Sequence, residues 1–433
     1  MRRSHLVLIL LLAGCASPAP TPPAPRPTPG PPLAQQPSPP PSSEAAGPIR
    51  PPAASGDMVF DAWAAQFYVR AVKAGISPAL LEREMAGLTP DPRVTSRDSR
   101  QPEFSQPVSA YIAGAVSAGP IAIGARKRAE VPALDAIEQR YGVPREILIG
   151  VWSRESAFGA IQGDFDVIRS MASLAAQGRR RDWAEGELIA ALKIIGSGEF
   201  SRSQLKGSWA GAMGQTQFIP SSFLSTAVDG DGDGRRDIWN SAADALASAA
   251  DLLAKGGWVR GQGWAREVSV PADFDFALSE GPRETPTWWA EKGVKRADGR
   301  PWSAADQAAP AQLLAPAGAS GPIFLLFPNH FAIRKYNNSV AYALAVGLLA
   351  DRIAGDGPLV KAWPQEAPMA LADRMTAQRA LSALGFDPGT PDGVVGMGTR
   401  KALRDWQKAR GLTADGYLSP AMVQRLKGEA GAS

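Results

Sequence analysis

Histidine and cysteine are almost missing from this chain: two histidines, His5 and His330, and one cysteine, Cys15, stand in 433 residues. A single thiol cannot form an internal disulfide, and so few nitrogen and sulfur ligands exclude a His- or Cys-based metal site. Any catalysis must therefore rest on carboxylates, hydroxyls, amides or arginines. Long apolar runs are missing too. The run from Leu6 to Leu12 is too short to cross a bilayer. Neither sign of charge dominates, with 46 Lys and Arg against 42 Asp and Glu and a net charge of +4. Such a mild balance suits an anionic polymer but is also that of ordinary soluble proteins, so it decides little. The length is enough for two or three domains with a sizeable core.

The basic start Met1-Arg-Arg, the apolar run and Leu12-Ala-Gly-Cys15 look like a bacterial lipoprotein signal, since small residues ahead of a cysteine suit cleavage just before it. The resemblance implies a signal peptide over 1–14 and lipidation of Cys15, which would hold the mature protein on a membrane in the periplasm. An ordinary secretory signal with an incidental cysteine is the alternative. Ala16 in place of Asp favours the outer membrane by the enteric sorting pattern. Residues 15–56 are rich in Pro, Ala, Ser and Thr with little charge. They cannot bury a core and read as an extended tether. From about residue 57 the pattern turns to amphipathic helices. These are expected over 58–74, with Phe60, Trp63, Phe67 and Val69 apolar, then from Leu80 to Met85, and over 109–141.

The stretch over 143–159 reads as a helix that begins near Pro144 and exits at Gly159. Ile147, Val151 and Glu155 fall at i, i+4 and i+8, so the inward face ends in an acid. Partial burial and the negative end of the helix dipole both disfavour its charged form, so Glu155 is expected to hold its proton unusually well, as a general acid must. An ion pair with Arg154 or Arg181 is the bland reading. Further on, Asp166 reads as a helix N-cap, Asp164 is less clear, and Arg179-Arg-Arg181 forms either a solvated corner or a clamp for an anionic group. The segment Ser208-Trp-Ala-Gly-Ala-Met-Gly-Gln-Thr-Gln217 combines small residues with Gln215 and Gln217. That suits a polar ligand, or else a tightly packed turn. A helix is expected over 241–255, a small sheet within 256–322, a strand over 323–327 and a helix over 340–353, with Tyr336 and Asn337 at the junction before it.

Residues 229–240 have calcium-loop spacing. Asp229, Asp231, Asp233 and Asp237 occupy positions 1, 3, 5 and 9, Gly234 the sharp turn, and the Arg235 carbonyl position 7. Asn240 replaces the usual bidentate Glu at position 12, and Arg236 replaces an apolar residue at position 8. A weak structural calcium site is expected. Beyond a linker over 356–369, residues 370–428 repeat a theme. Asp392-Gly and Asp415-Gly each precede a helix, and a third helix lies ahead of them. Three short amphipathic helices make a self-contained module.

Taken together, the Glu155 stretch, Trp209-Ala-Gly-Ala-Met-Gly-Gln-Thr-Gln-Phe-Ile-Pro-Ser-Ser222, the Asp/Gly loop ending in Asp-Ile-Trp239, and Lys335-Tyr-Asn337 resemble the membrane-bound lytic murein transglycosylase B family. The tail, with Gln378, Pro391-Asp-Gly393, Thr399 and Trp406-Gln, resembles a peptidoglycan-binding three-helix domain. The resemblance implies a mainly α fold (α+β): a lysozyme-like transglycosylase core over 57–355 with a helical flanking domain and a small β part, followed by the tail module. It implies an enzyme that cuts the MurNAc-GlcNAc bond of peptidoglycan to leave 1,6-anhydro ends, with Glu155 as its sole catalytic acid and no cofactor needed for the chemistry. Ser208, Gln217, Tyr336 and Asn337 would hold the sugar, with Arg180 and Arg181 as further contacts. Nucleic acid is not an expected partner. A hydrolytic muramidase, which wants a second carboxylate roughly 5 to 9.5 Å away, and a non-catalytic wall anchor are the rival readings.

Overall fold

The computed structural model describes residues 54–98 and 106–431, so Cys15 and most of the Pro-rich stretch lie outside the described residues. The fold is mainly α with a small β part. Helix α1 (Met58–Lys73) starts on an Asp57 cap and buries Phe60, Trp63 and Phe67. Val69 is 56% exposed, because a position two residues past Phe67 rotates off that face. Helix α2 (Pro78–Met85) carries Ser77 as N-cap and Pro78 in its first turn. After α3 (Pro92–Asp98), the span expected as one helix over 109–141 is three: α4 (Val108–Ala115), α5 (Ala118–Glu130) and α6 (Leu134–Tyr141). Pro132, which has no N–H to give and clashes with a preceding turn, lies in the second break.

The centre of the molecule is α7 (Arg145–Ser156), followed by α8 (Val167–Gln177), α9 (Arg181–Gly196), α10 (Pro220–Thr226) and α11 (Ala242–Lys255). Asp166 caps α8 and Ser241 caps α11, as their sequence positions suggest. A two-stranded ribbon of β1 (Phe165–Asp166) and β2 (Lys206–Gly207) lies beside α8. The five-stranded antiparallel sheet holds β3 (Ala265–Ser269), β4 (Arg283–Glu284), β5 (Lys295–Arg296), β6 (Ala311–Leu314) and β7 (Ile323–Leu326) in the order β4-β6-β7-β3-β5. Short helices α12 (Pro286–Glu291) and α13 (Ala304–Gln307) interrupt it, and α14 (Pro328–Tyr336) and α15 (Val340–Ala354) return the chain to α7. The tail module consists of α16 (Leu371–Ala383), α17 (Met397–Ala409) and α18 (Pro420–Ala430) around Leu381, Leu403, Trp406 and Leu426. Among the described residues no single helix is long and apolar enough to cross a membrane.

Two apolar clusters organise the large domain. One joins α1, α2, α8, α9 and α10; the other joins α4, α6, α7, α11, α14 and α15. Tyr336 packs against both, so it marks the seam between them. Gly150 sets how closely α15 crosses α7, because a Cβ there would stand 2.7 Å from the Val346 carbonyl oxygen, a backbone atom that cannot swing aside. That close crossing carries Tyr342, one turn before Val346, towards the C-terminal end of α7.

Candidate active site

Helix α7 starts one residue later than Pro144 and stops at Ser156, earlier than the expected exit at Gly159. Ala157 (φ 49°) and Phe158 (φ 60°) both adopt the left-handed conformation, which is unfavourable for residues other than glycine. Local bonds hold them there. Ala157 N donates to Ser153 O, Phe158 N to Trp152 O at 3.2 Å, and the Phe158 ring meets Trp152 edge-on at 6.0 Å. Strain of this kind persists where its surroundings over-determine it, and it clusters at functional sites. Ser156 completes the pin: its hydroxyl donates to Gln215 O at 2.5 Å and accepts from Gly159 N at 2.8 Å. The end of α7 is thereby fastened to the 208–218 loop.

Ile147, Leu148, Val151 and Trp152 are buried, as the helical spacing requires, and Glu155 ends their stripe. Part of Glu155 remains accessible while its carboxyl is closely surrounded by protein. Burial pushes this carboxyl up to about 7, opposed by a hydrogen bond from Tyr342 and by the charge of Arg154. Tyr342 Oη donates to Glu155 Oε1 at 2.5 Å. Its ring stacks on Tyr336 at 6.4 Å, and the Tyr336 hydroxyl donates to Thr216 O. Both phenols are raised well above the usual tyrosine value, first by burial and then by Glu155, so they stay protonated donors. The alternative ion pair of Glu155 with Arg154 does not form. Arg154 donates to Tyr111 Oη at 3.0 Å and lies over that ring. No second carboxylate among the described residues acts on Glu155. Asp164 is exposed, and its charge acts on Arg93.

The other sequence-selected residues divide. Tyr336 joins Glu155 through Tyr342. Asn337 is exposed and follows α14 as its C-cap. Gln217 sits in the left-handed region at φ 52°, and its amide donates to Gln162 O at 3.1 Å and Gly214 O at 2.9 Å. Ser208 closes a tight turn, with its hydroxyl accepting from Ala212 N at 3.1 Å. Arg181 donates to Ala175 O and Ala176 O, so it satisfies the last carbonyls of α8. Arg180 lies over Trp183 at 4.4 Å. Neither arginine bonds to the Glu155 cluster. Sequence reasoning missed Tyr342, Tyr111 and Thr216. A lone phenol in the apolar run of α15, which needs a partner when buried, was the available signal for Tyr342. A cavity of about 1570 Å³ is lined by Pro144, Trp258, Trp264, Asp351 and Trp363 among others, and by none of Glu155, Ser208, Gln217, Tyr336 or Tyr342.

In the Asp/Gly loop, carboxylate oxygens of Asp229, Asp231, Asp233 and Asp244 lie within 4.8 Å of one another. Asp244, in the first turn of α11, was not foreseen. Burial raises its carboxyl, with Asp231 adding to the shift. Asp237, expected as a ligand, is not among these four carboxylates. The Asn240 amide donates to the Asp237 carboxylate at 2.9 Å, which also caps Trp239 N and Asn240 N. Arg235 follows in the loop, its N–H donating to Asp233 at 2.8 Å. Four hard oxygen donors this close together fit a calcium ion.

Comparison with known proteins identifies the family. Residues 59–351 match the family model of the transglycosylase SLT domain, and residues 371–426 match that of the peptidoglycan binding domain. The membrane-bound lytic murein transglycosylase B of Escherichia coli (strain K12) is 33% identical over 224 residues, which cover 51% of this chain and 60% of that protein. The crystal structure of SltB3 from Pseudomonas aeruginosa in complex with NAG-anhNAM-pentapeptide superposes with a TM-score of 0.81 at 45% identity, covering 86% of this chain and all of that one. The Escherichia coli lytic transglycosylase Slt35 in complex with calcium gives 0.58 at 26% identity, covering 69% of this chain and 93% of that one. With the family match running over most of the large domain, this chain belongs to the SLT transglycosylase domain family.

Proposed function

We propose that the chain is a lytic murein transglycosylase that cleaves the MurNAc-GlcNAc β-1,4 bond of peptidoglycan and leaves 1,6-anhydro-MurNAc ends, in remodelling of the cell wall. The observation that carries this reading is the buried Glu155 carboxyl, raised to about 7 and held by Tyr342, with no second carboxylate among the described residues acting on it. Glu155 gives its proton to the oxygen linking the sugars, and GlcNAc departs as an alcohol. The positive charge that develops on the muramic acid C1 is met by the substrate's own N-acetyl group. Glu155, now a carboxylate steadied by the Tyr342 donor, takes the proton from the 6-hydroxyl as that oxygen closes on C1. One proton leaves and one returns, and no water is consumed. Ser208, Gln217, Tyr336 and Asn337 hold the sugar so that the internal hydroxyl outruns water. Arg180, whose guanidinium lies over Trp183 and makes no hydrogen bond among the described residues, is the arginine of this cluster left to meet an anionic group. The complex of SltB3 with NAG-anhNAM-pentapeptide supports this choice of product. Glu155→Gln keeps the shape but cannot transfer the proton, so turnover is expected to fall by on the order of a hundredfold or more. Wall binding through residues 370–428 should persist, whereas full activity of the variant would remove Glu155 from the mechanism.

Asp229, Asp231, Asp233 and Asp244, with the Arg235 carbonyl, are proposed to hold a structural calcium ion that braces the loop. The complex of Slt35 with calcium supports that ion. No chemical step passes through it. Cys15 is proposed as a lipid anchor that holds the protein in the periplasm at the outer membrane, in line with the membrane-bound relative. Cys15→Ala should then leave a soluble periplasmic protein; membrane fractionation like the parent's would refute the anchor.

A further inference from the structure

The tail module is built twice on one clamp. In its first half Gln378 of α16 grips the Asp392-Gly393 turn. Gln378 Oε1 accepts from Gly393 N at 2.7 Å, its Nε2 donates to Asp392 Oδ1 at 3.2 Å, and that Oδ1 also accepts from Val394 N at 2.8 Å. In the second half Gln407 of α17 repeats every bond on Asp415-Gly416. Gln407 Oε1 accepts from Gly416 N at 2.8 Å, its Nε2 donates to Asp415 Oδ1 at 2.8 Å, and Oδ1 accepts from Tyr417 N at 3.0 Å. The following helices start at Met397 and Pro420, the same number of residues past each Asp. Val394 is thus the counterpart of Tyr417, and Met397 of Pro420. Each clamp uses one carboxylate oxygen and leaves the other to face outward.

The second turn reveals what such an oxygen takes. Asp415 Oδ2 accepts from Ala319 N, in the large domain, at 2.9 Å. The preceding Gly318 lies so close that a Cβ there would stand 2.4 Å from this oxygen and 2.6 Å from the Tyr417 Cβ. The ligand of this turn is therefore a main-chain N–H. At the twin turn Asp392 is exposed, and its Oδ2 makes no hydrogen bond among the described residues. Around it stand Leu371, whose side chain packs over Gly393, and the turn's own Val394 and Met397, which are 54%, 65% and 73% exposed. Exposed apolar side chains around one turn suit an interaction site. They are aliphatic, without the aromatic face on which a sugar ring stacks, so they fit peptide side chains better than a polyol.

We infer that the Asp392 turn is a peptide-binding site, in which Oδ2 accepts a backbone N–H from the stem peptide of peptidoglycan while Leu371, Val394 and Met397 cover the neighbouring side chain. This rests on the reading that the tail module binds the wall. The test uses the full chain carrying Glu155→Gln, which leaves the wall uncut, and measures co-sedimentation with intact wall and, by equilibrium dialysis, binding to the soluble peptide-free strands that an amidase releases from wall. Asp392→Asn keeps the clamp bonds of Oδ1 but turns Oδ2 into a donor. A hydrogen bond to a charged group contributes about 1.5–3 kcal/mol, so affinity for intact wall should fall by roughly ten- to a hundredfold, with no change on the peptide-free strands. Met397→Glu, at an exposed position, should weaken binding to intact wall in the same selective way. Equal loss on wall and strands would make the ligand a glycan and overturn the inference, as would unchanged binding of both variants to intact wall. Failure of the parent to bind either wall or strands would instead overturn the wall-binding reading beneath it.

Discussion

Replacement of Tyr342 by Phe isolates the one hydrogen bond that acts on the acid among the described residues. The ring, its stack on Tyr336 and the packing of α15 on α7 are all kept, while Glu155 loses the donor that steadies its charged form. A hydrogen bond to an ionised group contributes about 1.5–3 kcal/mol, and one pKa unit corresponds to about 1.4 kcal/mol, so the carboxyl should rise by roughly 1 to 2 units from its value of about 7. The general acid must start protonated, and kcat/KM reports that ionisation in the free enzyme. In the parent, kcat/KM should fall as pH rises past about 7; in Tyr342→Phe the same fall should begin near 8 to 9. The assay is the rate of muropeptide release from purified wall across pH 5 to 10. Absolute rates at low pH will also drop where Tyr342 helps the second proton transfer, but the position of the limb is the diagnostic. An alkaline limb that stays where it was, or moves to lower pH, would mean that Tyr342 does not set the proton affinity of Glu155.

The raised carboxyl also carries a stability signature. Its folded value of about 7 lies above the ordinary 4.5, so between these values the folded state holds the proton more tightly and stability falls as pH rises through that window. Glu155→Gln removes the penalty. The variant should match the parent near pH 4 and exceed it at pH 8 by up to about 3 kcal/mol, measured by denaturant melts at both values. Saturating calcium at a hundredfold excess over Kd should stabilise the folded protein by about 2.7 kcal/mol. Asp244→Asn should shrink that rise in melting temperature while Asn240→Ala leaves it intact; the opposite pattern would restore the twelve-residue frame of the loop.

What the sequence reveals and what it hides follow one division. Glu155 was legible because its neighbours on α7 are local: helical spacing alone puts an acid at the end of a buried stripe, and burial alone raises it. Capping positions such as Ser77, Asp166 and Ser241 were legible for the same reason. Tyr342 was not, since it meets Glu155 only because Gly150 lets two helices far apart in the chain cross closely. Asp244 escaped because it enters from the next helix, outside the loop whose spacing was being read. The small sheet within 256–322 and the strand over 323–327 were legible, but the individual strands β4 and β5 were not, being two residues long and without any measurable alternation. In the 109–141 stretch the apolar pattern runs across the breaks between α4, α5 and α6, and Pro132 was the signal that it could not be one helix.

The central claim is that one carboxyl acts twice and lets an internal hydroxyl do what water does in a hydrolase. Mass analysis of the muropeptides released from purified wall by the soluble form of the protein tests it directly. Products that end in 1,6-anhydro-MurNAc, lighter by one water than those of a muramidase and absent when Glu155→Gln replaces the parent, are expected. Products with free reducing ends would instead require an activated water, and would contradict the single-carboxylate mechanism.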